Sequence, residues 1–368
     1  MQHGFIKVAA ATPRVQVADP VHNAAEIAQL ARRAAQEGVR LLVSSELSLT
    51  GYTCGDLFLQ RTLLQGALDA LLRLAADTRD LDLMLIVGLP YAHRGTLYNC
   101  AAALYGGEIL GLVPKTWLPN YAEFYERRYF TSGRRLEGCT VEIGAQTVPF
   151  GCDLLFCHRF MPELKVGVEL CEDLWAPDPP STALALAGAT VICNPSASDE
   201  LVTKDEYRRQ LVSSHAARLV CGYVYCNAGD GESTQDVVYT GQNLICENGV
   251  LLAESEAASG LTISELDVQR LDHERRKMGY FHRAGRAVRE IPWGGALAQT
   301  GLTRPMAQMP FVPENEALRQ ARCEKILSIQ SLGLKKRIEH THAGAVVIGV
   351  SGGLHSTLAI LVAARAMD

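Results

Sequence analysis

The sequence predicts an α/β protein in which β-sheets are covered by helices. Short apolar segments with the length of strands alternate along the chain with segments whose apolar residues recur at helical spacing. Some successive strands are joined through a helix, and others are joined by a tight hairpin turn. Parallel crossovers mixed with hairpins are typical of a layered sandwich of sheets and helices. The 368 residues are enough for a large core and an appended segment.

The first third of the chain shows this alternation clearly. The predicted strands are FIKVAAAT, VRLLVSSE and LDLMLIVGLP. A helix follows the first strand because Ile27, Leu30 and Ala34 share one helical face, and Gly38 ends it. A second amphipathic helix is marked by Leu63, Leu64, Ala67, Leu68, Leu71 and Leu72. The segment LYNCAAALYGGEILGLVPK predicts a hairpin that turns at Gly106–Gly107.

The pattern continues to about residue 273. The later strands are KVGVEL, ATVICNPS and YVYCNAG, with helices between them at about 180–188 and 203–219. QNLICENGVLLAE predicts a second hairpin, turning at Asn248–Gly249.

The composition changes after residue 273. ERRKMGYFHRAGR is basic, and the following AVREIPWGGALAQTGLTRPMAQMPFVPENE is rich in proline and glycine without a clear period, which predicts a linker that wraps over a surface. A polar helix over about 314–340 then leads into an apolar strand (Val346–Val350), a glycine turn and a final apolar helix.

Composition and charge exclude several classes of protein. The net charge of -5 offers no general attraction for nucleic acid. The 11 cysteines are scattered without any CxxC pair, so zinc spacing is absent and free thiols in a reducing cytosol are expected. The N-terminal MQHGFIKVAAATP lacks the layout of a signal peptide, and no apolar run approaches the length of a membrane span.

Three chemically active side chains are predicted at or near strand ends. Glu46 lies in LLVSSELSLTGY, Lys115 in GLVPKTWLPNYAEFYERRYF and Cys171 in KVGVELCEDLW. Each also has an ordinary interpretation: a carboxylate that binds backbone amides, a solvated lysine and a small core residue. Cys171 differs from the other cysteines because a strand-to-turn elbow exposes a sulfur and leaves the following backbone N–H groups free for an oxyanion.

Together the three side chains predict a nucleophilic site. A thiol is mostly protonated at neutral pH, and a neighbouring carboxylate such as Glu46 can act as its base. A tetrahedral oxyanion needs a fixed positive charge, which Lys115 can supply.

Glu, Lys and Cys in this order resemble the active site of the nitrilase, or carbon–nitrogen hydrolase, superfamily. SSELSLTGY, VPKTWLPNYAEFYERRYF and ELCEDLWAP resemble the glutaminase domain of glutamine-dependent NAD synthetases, and the terminal VSGGLHST resembles the SGGxDS pyrophosphate loop that opens their synthetase domain. The resemblance implies a nitrilase-like α-β-β-α sandwich, then a linker, then the first strand, loop and helix of an adenine-nucleotide α-hydrolase-like domain. The expected boundaries are 1–275, 276–320 and 321–368.

The resemblance also implies catalytic roles. Glu46 is expected to be the general base, Lys115 the lysine that stabilises the oxyanion, and Cys171 the nucleophile that becomes a glutamyl thioester. Glu126 is expected to be a second carboxylate that holds Lys115. For this glutaminase step the resemblance implies neither a cofactor nor a metal.

Tyr121, Ser198 and Lys204 match positions that bind glutamine in the family. The α-carboxylate of glutamine requires a cation and its ammonium requires oxygen acceptors, which suits these side chains. A solvated lysine at a helix start is the alternative interpretation of Lys204. Arg127 and Arg128 are expected to be structural or interface charges.

The terminal glycine turn matches the family's ATP pyrophosphate loop at Ser351, Gly352, Gly353 and Ser356. The turn departs from the family pattern at His355. The family has an acidic residue at this position, which is expected to help organise magnesium because magnesium prefers oxygen ligands. A glycine turn without a ligand and a strand–helix cap packed on the linker are the alternatives; a Walker loop and a GxGxxG fingerprint are excluded. We expect a truncated synthetase domain that does not carry out the synthetase step.

In the full family enzyme, ammonia from glutamine reaches a second site where ATP and Mg activate nicotinic acid adenine dinucleotide, and ammonia displaces AMP to give NAD. This chain is therefore expected to bind L-glutamine, to bind ATP and the dinucleotide only with a complete synthetase domain, and to be a cytoplasmic homo-oligomer without nucleic-acid or membrane partners. A free-standing amidase and a catalytically dead interaction module are the alternatives; the intact Glu46, Lys115 and Cys171 argue against the second.

Overall fold

The structure of the protein is a computed structural model. It describes residues 2–136, 138–255, 257–281, 287–306 and 308–368. The chain divides into two compact units, residues 1–304 and 305–368. Residues 282–286, at the end of the basic part of the predicted linker, lie outside the described residues.

Within its described residues, the first unit contains two sheets and six α-helices. Its strands are β1 (Phe5–Thr12), β2 (Leu41–Ser44), β3 (Met84–His93), β4 (Thr96–Tyr105), β5 (Glu108–Pro114), β6 (Cys139–Ile143), β7 (Gln146–Phe150), β8 (Leu154–His158), β9 (Lys165–Val168), β10 (Val191–Ser196), β11 (Gly222–Asn227), β12 (Leu244–Glu247), β13 (Val250–Glu254), β14 (Gly260–Asp267) and β15 (Arg289–Trp293). Its helices are α1 (Pro20–Gln36), α2 (Arg61–Asp77), α3 (Glu172–Trp175), α4 (Pro180–Leu186), α5 (Lys204–Leu219) and α6 (Val268–Met278).

The strands form two mixed sheets. The first has the order β14-β1-β2-β3-β4-β5-β7-β6, and the second has the order β13-β12-β11-β10-β9-β8-β15. In the first, β1, β2 and β3 are parallel neighbours. In the second, β9, β10 and β11 are parallel neighbours. Because parallel strands need crossover connections, helices are carried on the outer face of each sheet.

Side chains of β1 show how the four layers are built. Ala9 and Ala11 pack into a core shared with α1 and α2 on the outer face of the first sheet. Ile6, Val8 and Ala10 point to the opposite face, into a core that also contains residues of β9, β10 and β11 from the second sheet. A third core joins the second sheet to α4 and α5. The period-2 alternation of strand side chains therefore gives the α-β-β-α order that the sequence predicts.

The strand β15 lies in the region where the sequence predicts a linker and no strand. It lies parallel to β8, with Arg289 to Trp293 in register with Leu154 to His158. The Trp293 side chain is buried and its ring centroid lies 4.9 Å from that of His158 in an edge-on contact. A five-residue strand containing proline has little periodicity of its own, so its pairing depends on a partner far away in sequence.

The second unit contains the helices α7 (Glu316–Thr341) and α8 (Leu354–Met367). Arg365 of α8 forms an ion pair with Glu324 of α7. The prediction of a strand over Val346–Val350 is wrong, because this described segment has no strand conformation. A β-strand requires a neighbour for its backbone hydrogen bonds, and the described part of this unit provides none.

Among the helices of the described ranges, none combines the length and the apolar character that crossing a bilayer requires.

Candidate active site

Strand ends from both sheets bring the catalytic candidates together. Glu46 lies two residues after β2, Lys115 directly follows β5, and Cys171 lies between β9 and α3. The two sheets are joined beside Glu46, because its backbone N–H donates to the Ser196 carbonyl of β10 at 3.2 Å.

Glu46, Lys115 and Glu126 form a buried charged cluster. The Lys115 ammonium Nζ donates to Oε1 of Glu46 and to Oε1 of Glu126, in both cases at 2.6 Å. Glu46 also accepts from Asn99 Nδ2 at 2.7 Å and, through Oε2, from the Ala197 backbone N–H at 3.0 Å. The Glu46 and Lys115 side chains are 0% exposed, and the Glu126 side chain is 5% exposed. The cluster thus consists of two carboxylates and one cation with little access to solvent.

Electrostatics fix the charge state of Lys115. Burial lowers the pKa of its amine, but the charges of Glu126 and Glu46 outweigh burial and hold the pKa well above its usual value. Burial raises the pKa of Glu126 to about 7, although Lys115 and the Tyr52 hydroxyl, which donates to Glu126 Oε1 at 2.8 Å, oppose the rise. Near neutral pH, therefore, Lys115 is a cation and Glu126 is close to its titration midpoint.

Cys171 occupies a strained elbow between β9 and α3. Its backbone has φ 40° and ψ −97°, outside the regions that a non-glycine residue usually occupies. The elbow is held because the Cys171 N–H donates to Asn194 Oδ1 at 2.8 Å and to the Pro195 carbonyl at 3.0 Å. Burial, and after it the Glu46 charge, raises the pKa of the thiol. The resting sulfur therefore carries its proton, and a base is needed when it reacts.

Asp173 connects the elbow to the Lys115 segment. Its buried carboxylate accepts from the Leu170 N–H at 3.0 Å on one side and from the Trp117 N–H at 2.6 Å and the Thr116 N–H at 3.1 Å on the other. Burial raises the pKa of this carboxyl, while the N–H donors of Leu170 and Trp117 lower it. One side chain thus sets the distance between the strand ends that carry Lys115 and Cys171.

Gly88 allows the Glu46 loop to lie directly against β3. A Cβ atom at this position would lie 2.2 Å from the Leu47 nitrogen and 2.8 Å from the Ser45 carbonyl oxygen. Leu47 itself has φ 52°, so the loop turns sharply where it passes the strand. The absence of a side chain at residue 88 is what permits this approach.

The predicted glutamine-binding tyrosine lies at the surface next to the elbow. The Tyr121 side chain is exposed, and its hydroxyl donates to the Glu172 carboxylate at 2.9 Å. Burial raises the pKa of Glu172, and the Tyr121 hydroxyl opposes the rise. Because Glu172 follows Cys171 in the chain, this pair lies at the rim of the candidate site.

Ser198 and Lys204 lie on the loop after β10 and at the first residue of α5. Ser198 is buried, with its N–H donating to Asn227 Oδ1 at 2.8 Å. The Lys204 ammonium pairs with Asp199 and lies 5.8 Å from the ring centroid of Trp175. Since Trp175 belongs to α3, Lys204 is connected to the helix that begins at the elbow and is not simply solvated.

A cavity of about 220 Å³ borders the charged cluster at Glu126. Its lining includes the aromatic residues Tyr52, Phe124 and Tyr239, but Cys171 is not part of it. The cavity therefore adjoins the candidate site at Glu126 without including Cys171.

The predicted ATP loop lies in the second unit, residues 305–368. Ser356 donates to the Gly353 carbonyl at 2.9 Å, and Gly352 has φ 80°. No Asp or Glu lies between Glu339 and Asp368, so this segment offers no carboxylate for magnesium. Across the described ranges, no group of three His, Cys, Asp or Glu side chains is arranged to hold a metal ion.

Several residues of the site are missed by sequence reasoning. Asn99, Asp173 and Asn194 act through hydrogen bonds to residues distant in sequence, which no local pattern reveals. Asn99 and Asn194 do carry a weak signal, because each lies in a largely apolar strand and buried polar groups need partners.

The sequence matches the carbon–nitrogen hydrolase family over residues 7–276. Among curated proteins, the glutamine-dependent NAD(+) synthetase of Mycobacterium tuberculosis is 43% identical over 382 residues, which is 100% of this chain and 56% of that relative. The chain thus spans a little over half the length of the curated relatives it matches first.

Solved structures show the same fold. A glutamine-dependent NAD(+) synthetase from Cytophaga hutchinsonii superposes with a TM-score of 0.62 at 29% identity, covering 71% of this chain and 43% of that one. A carbon–nitrogen hydrolase from Helicobacter pylori superposes with a TM-score of 0.60 at 20% identity, covering 77% of this chain and 96% of that one. The nitrilase-like fold expected from the sequence is confirmed by these superpositions.

Proposed function

Since the chain belongs to the carbon–nitrogen hydrolase family, we propose that it is the glutaminase portion of a glutamine-dependent NAD synthetase. One observation carries the proposal: the Lys115 ammonium is held between Glu46 and Glu126, and the charges of this cluster act on the Cys171 thiol at the elbow. The names of relatives at 41–43% identity supply the substrate class.

In the first half-reaction, Glu46 takes the proton of the Cys171 thiol as the sulfur attacks the side-chain amide carbon of glutamine. The Sγ–C bond forms, and the carbonyl oxygen becomes an oxyanion next to the Lys115 ammonium. Glu172 begins α3, and the N–H groups of a first helical turn have no partner within the helix, so its N–H can assist. Glu46 returns the proton to the departing nitrogen, the C–N bond breaks, and ammonia leaves.

In the second half-reaction, water attacks the glutamyl thioester. Glu46 takes a proton from the water as the new C–O bond forms, and the same oxyanion position is used again. The C–S bond then breaks, glutamate is released and the thiolate regains its proton from Glu46. Every proton transfer and bond change in this proposal is assigned to water, to the substrate or to groups of this chain.

Tyr121, Ser198 and Lys204 are proposed to bind the amino-acid end of glutamine. Their positions around the elbow are consistent with this role, because Tyr121 contacts Glu172 and Lys204 lies over Trp175. They act on ground-state binding, in contrast to the residues that contact the reacting atoms.

In the whole protein, the ammonia is proposed to serve ATP-dependent amidation of nicotinic acid adenine dinucleotide. The proposed organisation is a glutaminase domain at 1–275, a linker at 276–320 that contributes the strand β15 to the second sheet, and the start of a synthetase domain at 321–368. The residues present do not fit a magnesium–ATP site, because His355 replaces the expected carboxylate and no acidic residue follows before Asp368. No ATP-dependent step is therefore assigned to Ser351–Ser356.

The test is glutamine hydrolysis by the wild-type protein and by Cys171→Ala, measured as glutamate release. Cys171→Ala should lose activity by several orders of magnitude, whereas Cys193→Ala should keep it, because Cys193 is a buried core cysteine of β10. Circular dichroism should show both variants folded.

Two results would contradict the proposal. The first is substantial glutamine turnover by folded Cys171→Ala, or a trapped glutamyl adduct on another cysteine in mass spectrometry. The second is faster hydrolysis of simple aliphatic amides than of glutamine, which would indicate a general amidase.

A further inference from the structure

The structure contains an arginine that the proposed reaction does not use. We infer that Arg208 is a positioning residue that sets the Ser198 hydroxyl and the Lys204–Asp199 ion pair to receive the α-carboxylate end of glutamine. The inference rests on the proposed function. Its evidence is a fully buried guanidinium bonded to the loop on which Ser198 lies.

Arg208 fastens three consecutive loop residues to α5. Its side chain is 0% exposed. Nη2 donates to Ser198 Oγ at 3.2 Å and to the Asp199 carbonyl at 3.0 Å, and Nη1 donates to the Glu200 carboxylate at 3.2 Å. Arg208 lies one helical turn after Lys204, so one helix presents the cation and anchors the loop opposite it.

The hydrogen-bond chemistry of Arg208 determines the orientation of Ser198. A guanidinium is a donor only, so the Ser198 oxygen must be the acceptor in their contact. The Ser198 N–H and carbonyl are both paired with the Asn227 side chain. The Ser198 hydroxyl also lies within hydrogen-bond reach of the Tyr225 hydroxyl, which can itself act as a donor. A ligand carboxylate is a stronger acceptor for the Ser198 proton than this phenol, because a charged acceptor gains most from such a donor.

The same anchor fixes the neighbouring ion pair. Asp199, which accepts from Arg208 through its carbonyl, pairs with Lys204 through its carboxylate. The Lys204 ammonium lies 5.5 Å from the ring centroid of Phe124 and 5.8 Å from that of Trp175. Displacement of the loop would therefore move both the hydroxyl donor and the cation of the proposed binding site.

Stability alone does not account for a buried guanidinium here. Within the described residues, the Arg208 Nε has no hydrogen-bond partner, and an unpaired buried polar group costs free energy. The remaining Nη1 contact is to Gln242 Oε1, and Gln242 in turn donates to Glu254 at 2.8 Å. Gln242 and Glu254 thus hold the Arg208 guanidinium in its orientation toward the loop.

Arg208→Lys tests the inference, with Arg218→Lys as the matched control. Lysine keeps the charge, but its compact ammonium does not reproduce the planar fork whose two terminal nitrogens bond Ser198, Asp199 and Glu200. Arg218 is exposed near the end of α5 and bonds the His215 ring. Arg208→Lys should raise the KM for glutamine about tenfold or more while kcat stays within about twofold; Arg218→Lys should change neither.

A second substrate separates positioning from general damage. 4-Aminobutanamide lacks the α-carboxylate, so its kcat/KM should be the same for the wild-type protein and Arg208→Lys. Equal losses on both substrates, a loss of kcat with unchanged KM, or no change for glutamine would overturn the inference.

A second variant keeps the test decisive if Arg208→Lys lowers the Tm. Ser198→Ala should reproduce part of the KM increase, and the double variant should show a smaller increase than the product of the two single effects, because both changes remove the contact between Arg208 and Ser198. Full additivity would overturn the inference.

Failure of the proposed function would be recognised separately. If the wild-type protein hydrolyses neither substrate, that function fails, and calorimetric binding of L-glutamine to Cys171→Ala with and without Arg208→Lys decides the inference alone. Binding weakened tenfold or more supports it; unchanged binding, or no binding, overturns it.

Discussion

A methyl group added at Gly88 should disable the site without touching any proposed catalytic side chain. In Gly88→Ala the new Cβ would lie 2.2 Å from the Leu47 nitrogen and 2.9 Å from the Glu46 backbone carbon. All close atoms belong to backbone, so no flexible side chain can move aside. The loop that carries Glu46 must shift away from β3.

The size of the shift follows from the contact distances. Ordinary van der Waals contact begins at 3.4 Å, so the Leu47 nitrogen must retreat by about 1.2 Å. Glu46 Oε1 is only 2.6 Å from Lys115 Nζ, and a displacement of that size breaks or bends the contact. A misplacement of about 1 Å in a catalytic group can cost about 100-fold in rate, and overpacking should lower the free energy of unfolding by about 1–3 kcal/mol.

The assay is kcat/KM for glutamine together with urea unfolding. Gly66→Ala is the matched control, because Gly66 lies within α2 and an added Cβ would meet only Pro20 Cγ at 3.6 Å. This control should retain activity and gain up to about 1 kcal/mol of stability. A folded Gly88→Ala protein with kcat/KM within about twofold of the wild-type value would refute the reasoning about the loop.

Two further perturbations test the cluster and the elbow. Burial raises the pKa of Glu126 to about 7, so Glu126 carries its charge above pH 7 and loses it below. Below pH 7 Lys115 therefore keeps the charge of Glu46 but loses that of Glu126. We expect kcat/KM to fall as pH decreases through about 7, and we expect Glu126→Gln to lose this decrease. A decrease at an unchanged pH in the variant would assign it to another group. Asp173→Asn places an amide N–H against the backbone N–H of Leu170 or of Trp117. The change should lower the free energy of unfolding by about 1–3 kcal/mol and should lower kcat. An unchanged denaturation midpoint would show that Asp173 does not hold the Lys115 segment against the elbow.

Local signals in the sequence locate most of the first unit. The hairpin turn at Asn248–Gly249 is predicted because both residues tolerate positive φ, and the structure has φ 46° and 86° there. The strand ends that carry Glu46, Lys115 and Cys171 are also predicted from local sequence, because short apolar runs have well-defined ends.

Features that depend on distant partners are not predicted. Arg208 reads as an ordinary polar residue on a helix, and only the folded loop after β10 shows its guanidinium fully buried. Val346–Val350 gives the opposite error, because an apolar, β-branched run predicts a strand whether or not a neighbouring strand is present to pair with it.

The position of β15 matters for where this chain can be divided. The strand lies beyond residue 276, where the family match ends, yet it pairs with all five residues of β8. A fragment that stopped at residue 276 would leave β8 as the edge strand of the second sheet. The unpaired backbone N–H and C=O groups of an exposed edge strand can pair with another molecule and cause aggregation. β8 also pairs with β9, the strand that precedes Cys171. The smallest fragment that keeps this edge covered therefore ends no earlier than Trp293.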